Sequence, residues 1–273
     1  MKKKMRVSHL LNSGAIYLYT LVIITPLILT VANAFKTDVD SLSMPPKLIF
    51  KPTLKTIQGA LHSGYLDSLK NSLIIVLTST FFAILLAIPA AFGLAFFRYK
   101  RSKQTIFWIL STAFMPSVGV VIPIYLVLNK LGLLDTRISM ILIYTSMSLP
   151  LSVLILRSFY LDIPKEIIEA ATIDGTSTRQ MFLFIAGPLS IPGITTAAVL
   201  AIIFAWNEFL FALMLTSTNA QTLPVFIVSS VTSMSTNLSS FSAAAVLAAL
   251  PVVILGWTAQ KALVEGLTMG AVK

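Results

Sequence analysis

Apolar residues fall along this chain in runs of about twenty, separated by short polar stretches. Helical membrane spans have this period, because crossing a bilayer takes about 20 mostly apolar residues at 1.5 Å rise each. Six runs qualify, at residues 15–34, 72–97, 105–128, 138–156, 192–215 and 241–263. Pro26, Pro89, Pro116, Pro123, Pro150 and Pro251 lie inside them. Membrane helices tolerate such prolines because neighbouring helices satisfy the freed carbonyls. The predicted fold is all-α: a polytopic membrane protein of six transmembrane helices.

Composition agrees with that reading. Of 273 residues, 56% are hydrophobic and 11% charged, against about 25% charged for a soluble domain. The chain therefore has too little polar surface for water. Its net charge of +10 does not point to nucleic acid, which would need a basic patch on a soluble face. Here the basic residues sit in short pieces between spans, where they orient helices. There is no cysteine, hence no thiol nucleophile or thiolate metal site. His9 and His62 are too far apart to suggest zinc.

The basic clusters Lys2, Lys3, Lys4, Arg6 and Arg98, Lys100, Arg101, Lys103 fall on one side of a six-span topology. The positive-inside bias then predicts both termini in the cytoplasm. The N-terminal cluster, the apolar run and Ala32-Asn33-Ala34 also imitate a signal peptide. The run is close to full spanning length, which favours an uncleaved anchor. The predicted organisation is a cytoplasmic tail (1–14), an anchor helix (15–34), an extracytoplasmic loop (35–70), a transmembrane domain (71–263) and a cytoplasmic tail (264–273). The outer stretch 216–240 carries no charge and many Ser, Thr and Asn residues.

The cytoplasmic stretch 157–191 is far longer than the roughly 2–8 residues a helix connection needs. It holds Asp162, Glu166, Glu169 and Asp174, four of the ten acidic residues. Pro164 suits the first position of a helix, Glu166 and Glu169 suit its positive end, and Gly175 suits its termination. Ile163, Ile167, Ala170, Ala171 and Asp174 share a face at helical spacing. Ser177 and Gln180 have capping-box spacing and open a second short helix, with Phe182, Ile185 and Leu189 as its apolar stripe. Pro188 and Pro192 limit that helix. The knob of Ala170, Ala171 and Gly175 is small enough for another protein's backbone to approach.

Glu169-Ala170-Ala171, Gly175, Ile185 and Pro188 resemble the EAA loop of ABC-importer permeases, E-A-A-x₃-G-x₉-I-x-L-P, except that Gly187 stands where leucine is usual. Ile173-Asp174-Gly175 is similar to the form found in sugar-type importers. The stretches Met115-Pro116 to Ile122-Pro123, Leu131-Gly132-Leu133-Leu134-Asp135-Thr136, Trp206-Asn207-Glu208-Phe209-Leu210, Gly266-Leu267-Thr268 to Ala271-Val272-Lys273, and Asn71-Ser72 look like the maltose-permease type. The resemblance implies a coupling role for Glu169, Ala170, Ala171, Asp174, Gly175, Phe182, Ile185 and Pro188. It implies a second homologous permease, two cytoplasmic ABC ATPase subunits and an extracytoplasmic sugar-binding protein as partners. That binding protein would dock on the 36–71 and 216–240 loops. ATP would be bound by those ATPases, since the chain has no G-x-x-x-x-G-K-S/T and no catalytic constellation of its own. It is not expected to be an enzyme.

Glu208 is predicted inside the outer half of the fifth span, where an ionisable side chain costs about 2.5–3.5 kcal/mol. Two readings stand side by side: a hydrogen bond to a neighbouring subunit, or a translocation-path wall made with Asn71, Trp206, Asn207 and Phe209. An ion- or proton-coupled secondary transporter would also use such a carboxylate, and an importer of glycerol phosphate or polyamine remains an alternative cargo class. A purely structural or regulatory membrane subunit has no need of several in-span prolines beside a Glu–Asn pair.

Overall fold

The structure, a computed structural model, describes residues 2–97, 100–233 and 238–269. Arg98 and the tail from 270 lie outside the described residues, as do the side chains of Lys2, Lys3, Lys4 and Arg6. Among the described residues all regular structure is helical. Four helices are long and apolar enough to cross a membrane, and six crossings result when each of two bent helix pairs counts as one.

The described residues divide into two compact units. The first runs to Leu66 and includes Phe226–Leu250. Its helix α1 (Lys2–Ala34) continues through Pro26 and exposes apolar side chains all round, as Tyr17, Leu21, Leu27 and Ile28 illustrate; lipid solvates such a surface. After α1, Thr37 caps the short α2 (Asp38–Ser41) through Asp40 N–H at 3.2 Å. Thr53 N–H donates to Phe35 O at 2.8 Å, and α3 (Lys55–Ala60) follows. Ala34, Ala60 and Ala243 form this unit's small core with Phe35, Ile57, Val246 and Leu247. The chain kinks at Ser63–Gly64 before α4.

The second unit, Asp67–Val225 with the chain from Pro251, is the bundle. Its elements are α4 (Leu66–Phe96), α5 (Ser102–Ala113), α6 (Ser117–Lys130), α7 (Arg137–Leu161), α8 (Lys165–Ile173), α9 (Thr178–Gln180), a π-turn (Met181–Ala186), α10 (Gly187–Leu189), α11 (Ile191–Asn207) and α12 (Leu210–Leu215). Helices α13 (Leu223–Ser233) and α14 (Leu238–Met269) follow. Helix α11 packs along α7. A Cβ on Gly193 would come within 2.5 Å of the Phe159 ring, so only glycine permits that approach.

Two predicted spans are not single helices. Run 105–128 bends by 86° between α5 and α6. Met115 precedes a proline, which disfavours the α conformation, and Pro116 is extended (ψ 119°). Run 192–215 is interrupted at Glu208–Phe209, outside helical geometry. By contrast Pro89, Pro123, Pro150 and Pro251 sit inside continuous helices. Pro164 lies one residue earlier than the first-turn position predicted for it, extended at ψ 131°.

Helix α7, 25 residues long, extends about 37 Å and organises the bundle. Its last turn carries Tyr160, which packs with Phe92 and Phe96 from the last turns of α4. Its first residue, Arg137, donates to Asn71 in the first turns of α4. Helices α4 and α7 therefore run in the same direction, as the crossing formed by α5 and α6 between them requires.

Candidate functional site

The hairpin of α8, α9, the π-turn and α10 is shaped by local chemistry. Gly175, at φ +75°, ends α8: its N–H donates to Thr172 O at 3.1 Å, and Thr176 N–H donates to Ala171 O at 3.0 Å. These are the two reversed bonds of a Schellman closure, which favours glycine at the left-handed position. Ser177 then starts the return arm with both halves of the predicted capping box. Gln180 N–H donates to Ser177 Oγ at 3.3 Å, and Ser177 N–H to Gln180 Oε1 at 2.9 Å. The elbow is thus two caps joined by one residue.

Between the arms lies an open groove of about 500 Å³ lined by Glu166, Ile167, Ala170, Ala171, Asp174, Thr176 and Ile185. Glu169, Ala170, Asp174, Gly175 and Pro188 are exposed, while Phe182 and Ile185 are half-buried. The predicted outward knob needs one correction. Ala171 is only 7% exposed, because it turns toward the return arm; Ala170 and Gly175 alone face outward. The return arm also contains a π-turn that the apolar stripe did not predict.

The residues grouped as a path wall fall into different settings. Trp206 is buried against an apolar cleft of about 120 Å³ with Leu73, Val76, Ile202, Pro251, Val252 and Leu255. Asn207 is exposed, its amide donating back to Ile203 O at 2.7 Å. Glu208 ends α11 in extended geometry (ψ 126°) rather than lying within a helix, and Phe209 is half-buried beside it. The Glu208 carboxylate accepts Phe211 N–H at 2.9 Å, Ala212 N–H at 3.2 Å and the Tyr144 hydroxyl at 3.0 Å. It therefore serves the orphan donors at the start of α12, where negative charge is favoured. Glu208 thus caps its own chain, with Tyr144 as a partner that the sequence pattern does not mark.

Asn71 is 3% exposed, and both ends of its amide are used elsewhere. Nδ2 donates to Asn219 O at 3.1 Å and Gln221 O at 3.0 Å, while Arg137 Nε donates to Oδ1 at 2.7 Å. None of these partners belongs to 206–209. Ser72 Oγ accepts Leu223 N–H at 2.8 Å.

The same segment is gripped from the other side by Asp135. Its carboxylate accepts the backbone N–H groups of Ser217 (2.9 Å), Thr218 (3.2 Å), Asn219 (3.0 Å) and Ala220 (3.0 Å). The Ser217 hydroxyl and Asn219 amide add bonds at 2.8 and 3.0 Å. Partial burial alone would raise the Asp135 carboxyl's pKa, but the N–H groups of Asn219, Ser217 and Ala220 outweigh it and hold the group well below the usual carboxylate range. The stretch Leu131–Thr136 becomes intelligible here. Gly132 closes α6, with Leu133 N–H donating to Leu128 O at 2.9 Å. Asp135 holds 217–220, and Thr136 caps α7 through Ser139 N–H at 3.2 Å. Asn71-Ser72 and Leu131–Thr136, distant in sequence, build one cradle around 217–223.

The second unit is thus a bundle of bent apolar helices with a capped helical hairpin and a pinned polar loop. Residues 83–268 match the binding-protein-dependent transport system inner membrane component, and the chain belongs to that family. It is 35% identical over 89% of its length, and 88% of the relative's, to the probable ABC transporter permease protein y4oR of Sinorhizobium fredii. It is 34% identical to the trehalose transport system permease protein SugB of Mycobacterium tuberculosis, covering 86% of this chain and 85% of that protein. Among solved structures, a chain of a bacterial ABC transporter involved in the import of the polysaccharide alginate superposes with TM-score 0.80, covering 94% of this chain and 96% of that one. At 20% identity that likeness concerns the fold.

Proposed function

We propose that this chain is the permease subunit of an ATP-driven carbohydrate importer. It forms half of the translocation path beside a second, homologous permease. Two ABC ATPases on the cytoplasmic side bind and hydrolyse ATP, the hairpin 165–189 seats against one of them, and an extracytoplasmic binding protein delivers the sugar. Both termini and the hairpin lie in the cytoplasm, and the 217–223 cradle lies outside. The observation that carries the reading is the elbow: two caps joined by Thr176 fix the turn between the hairpin's arms, with Ala170 and Gly175 as its exposed contact. Relatedness to a trehalose permease supports the carbohydrate class. Asn207, exposed at the helix break, is the polar group proposed to face the passing sugar, with Trp206, Glu208 and Phe209 holding it there.

The test uses proteoliposomes containing the chain, its co-encoded permease and ATPases, and the loaded binding protein. Uptake of a labelled disaccharide should require ATP on the ATPase side. Uptake driven by a proton gradient without ATP would refute the proposal in favour of a secondary transporter.

A further inference from the structure

The hairpin is joined covalently to only two spans, α7 before it and α11 after it. Helix α4 has no chain connection to it, yet the last turns of α4 form the floor on which the hairpin stands. The link is Phe182. Its ring meets Phe92 of α4 edge-on at 5.0 Å between centroids. Phe92, only 5% exposed, in turn meets Tyr160 of α7 at 5.8 Å. Ala186, fully buried one turn later, enters the same core. Aromatic rings packed edge to face hold a defined mutual geometry, and these three pack in one core cluster.

The backbone is arranged to put Phe182 there. Residues 181–186 form a π-turn, in which Gly187 N–H donates to Phe182 O five residues back. A Cβ at 187 would stand 2.8 Å from that oxygen. Glycine at 187 is what lets the wide turn close, and π-turns inside helices concentrate at functional positions.

We propose that Phe182 is a positioning residue for transport: it grips Phe92 and, through it, Tyr160, so that displacement of the hairpin moves α4 as well as α7 and α11. This rests on the coupling role proposed above for the hairpin. The test keeps the two separable, and the absence of native cysteine makes single-cysteine cross-linking clean. Ala170→Cys reports attachment of the ATPase, and ATP hydrolysed per sugar imported reports coupling, both in the assembled transporter. With Phe182→Ala, the cross-link should persist while ATP consumed per sugar rises about 5- to 10-fold. Phe182→Leu should recover part of the loss, and Phe92→Ala combined with Phe182→Ala should be no worse than the stronger single change. An unchanged ratio with the cross-link intact would overturn the grip while leaving the coupling role standing. Absence of the cross-link in Ala170→Cys with Phe182 intact would overturn the coupling role itself. Should Phe182→Ala fail to assemble, an unchanged ratio in Phe182→Leu refutes the grip equally.

Discussion

Replacing Asp135 by Asn isolates the carboxylate's contribution to the cradle with little other change. Asp135 sits at φ +55°, a conformation Asn also tolerates, so backbone strain stays the same. Oδ1 serves Ser217 and Ala220 N–H, and Oδ2 serves Thr218 and Asn219 N–H. An amide oxygen can keep one of these pairs; the amide NH₂ then confronts the other two donors. A hydrogen bond to a charged group contributes about 1.5–3 kcal/mol; Ala220 is buried, so the amide oxygen should keep the Ser217–Ala220 pair, and the exposed Thr218 and Asn219 recover water, which leaves a loss of about 1 kcal/mol each. The total of about 2 kcal/mol corresponds to roughly 30-fold in the local opening equilibrium. Hydrogen–deuterium exchange of the protein in lipid nanodiscs, followed on peptides covering 216–222, should therefore accelerate about 30-fold. Asp135→Ala should exceed that, because alanine adds left-handed strain of about 1–2 kcal/mol. Asp67→Asn, exposed in the first turn of α4, serves as the control. Exchange within threefold of the parent in Asp135→Asn would mean that the carboxylate does not hold the loop.

The Asp135 carboxyl is held below its unfolded value, so its stabilisation is fully present above the ordinary carboxylate range and fades only as pH falls through the depressed folded value. Protection of 217–220, corrected for intrinsic exchange, should stay flat from pH 5 to 8; a loss beginning near pH 5 would contradict the arrangement. Glu208→Gln leaves at least one donor at the start of α12 or the Tyr144 hydroxyl badly matched, and should lower stability by about 1–3 kcal/mol. Tyr144→Phe should cost less on its own, and the pair should be non-additive in a denaturation cycle, additivity being the refuting result. Gly175→Leu places a branched side chain at φ +75° and should leave the protein inserted while ATP hydrolysis proceeds without uptake; normal uptake would contradict the lever.

How much of this could be read along the chain depended on the range of the interactions involved. The elbow of the hairpin was legible, since Gly175, Ser177 and Gln180 act on backbone groups three to five positions away; the burial of Ala171 and the π-turn at Met181–Ala186 were not. The existence of the long helices was legible from the apolar runs, but not their ends: α1 begins at Lys2 and α14 reaches Met269, because polar residues continue a helix beyond its apolar stretch. The break at Glu208 was not legible: no glycine or proline marks it, and what stabilises it includes Tyr144, 64 residues earlier. Pro116 and Pro123 are indistinguishable as letters, yet one begins a helix and the other continues inside it. The cradle is the least legible, although both its halves stand out as motifs. Asp135 lies 82 to 85 residues from the amides it binds, and Asn71 about 150 from its carbonyls.

The two helix breaks depend on each other. Ending α5 at Ala113 and α11 at Asn207 leaves carbonyls and N–H groups without helical partners, a severe penalty in lipid. At the second break the Glu208 carboxylate supplies acceptors for α12; at the first, proline has no N–H to satisfy, and Gly119 N–H returns to Pro116 O at 2.9 Å. What then holds the two redirected segments is mutual: α12 packs on α6 and α7, burying Phe211, Ala212 and Leu215, and Asp135 N–H donates to Leu215 O at 2.8 Å. Straightening either segment alone would strip the other of its packing partner and pull Leu215 from that bond. The bends at 114–116 and 208–209 are therefore one structural feature expressed at two places in the chain, with the cradle as its fastening and α7 as the straight member against which both are set.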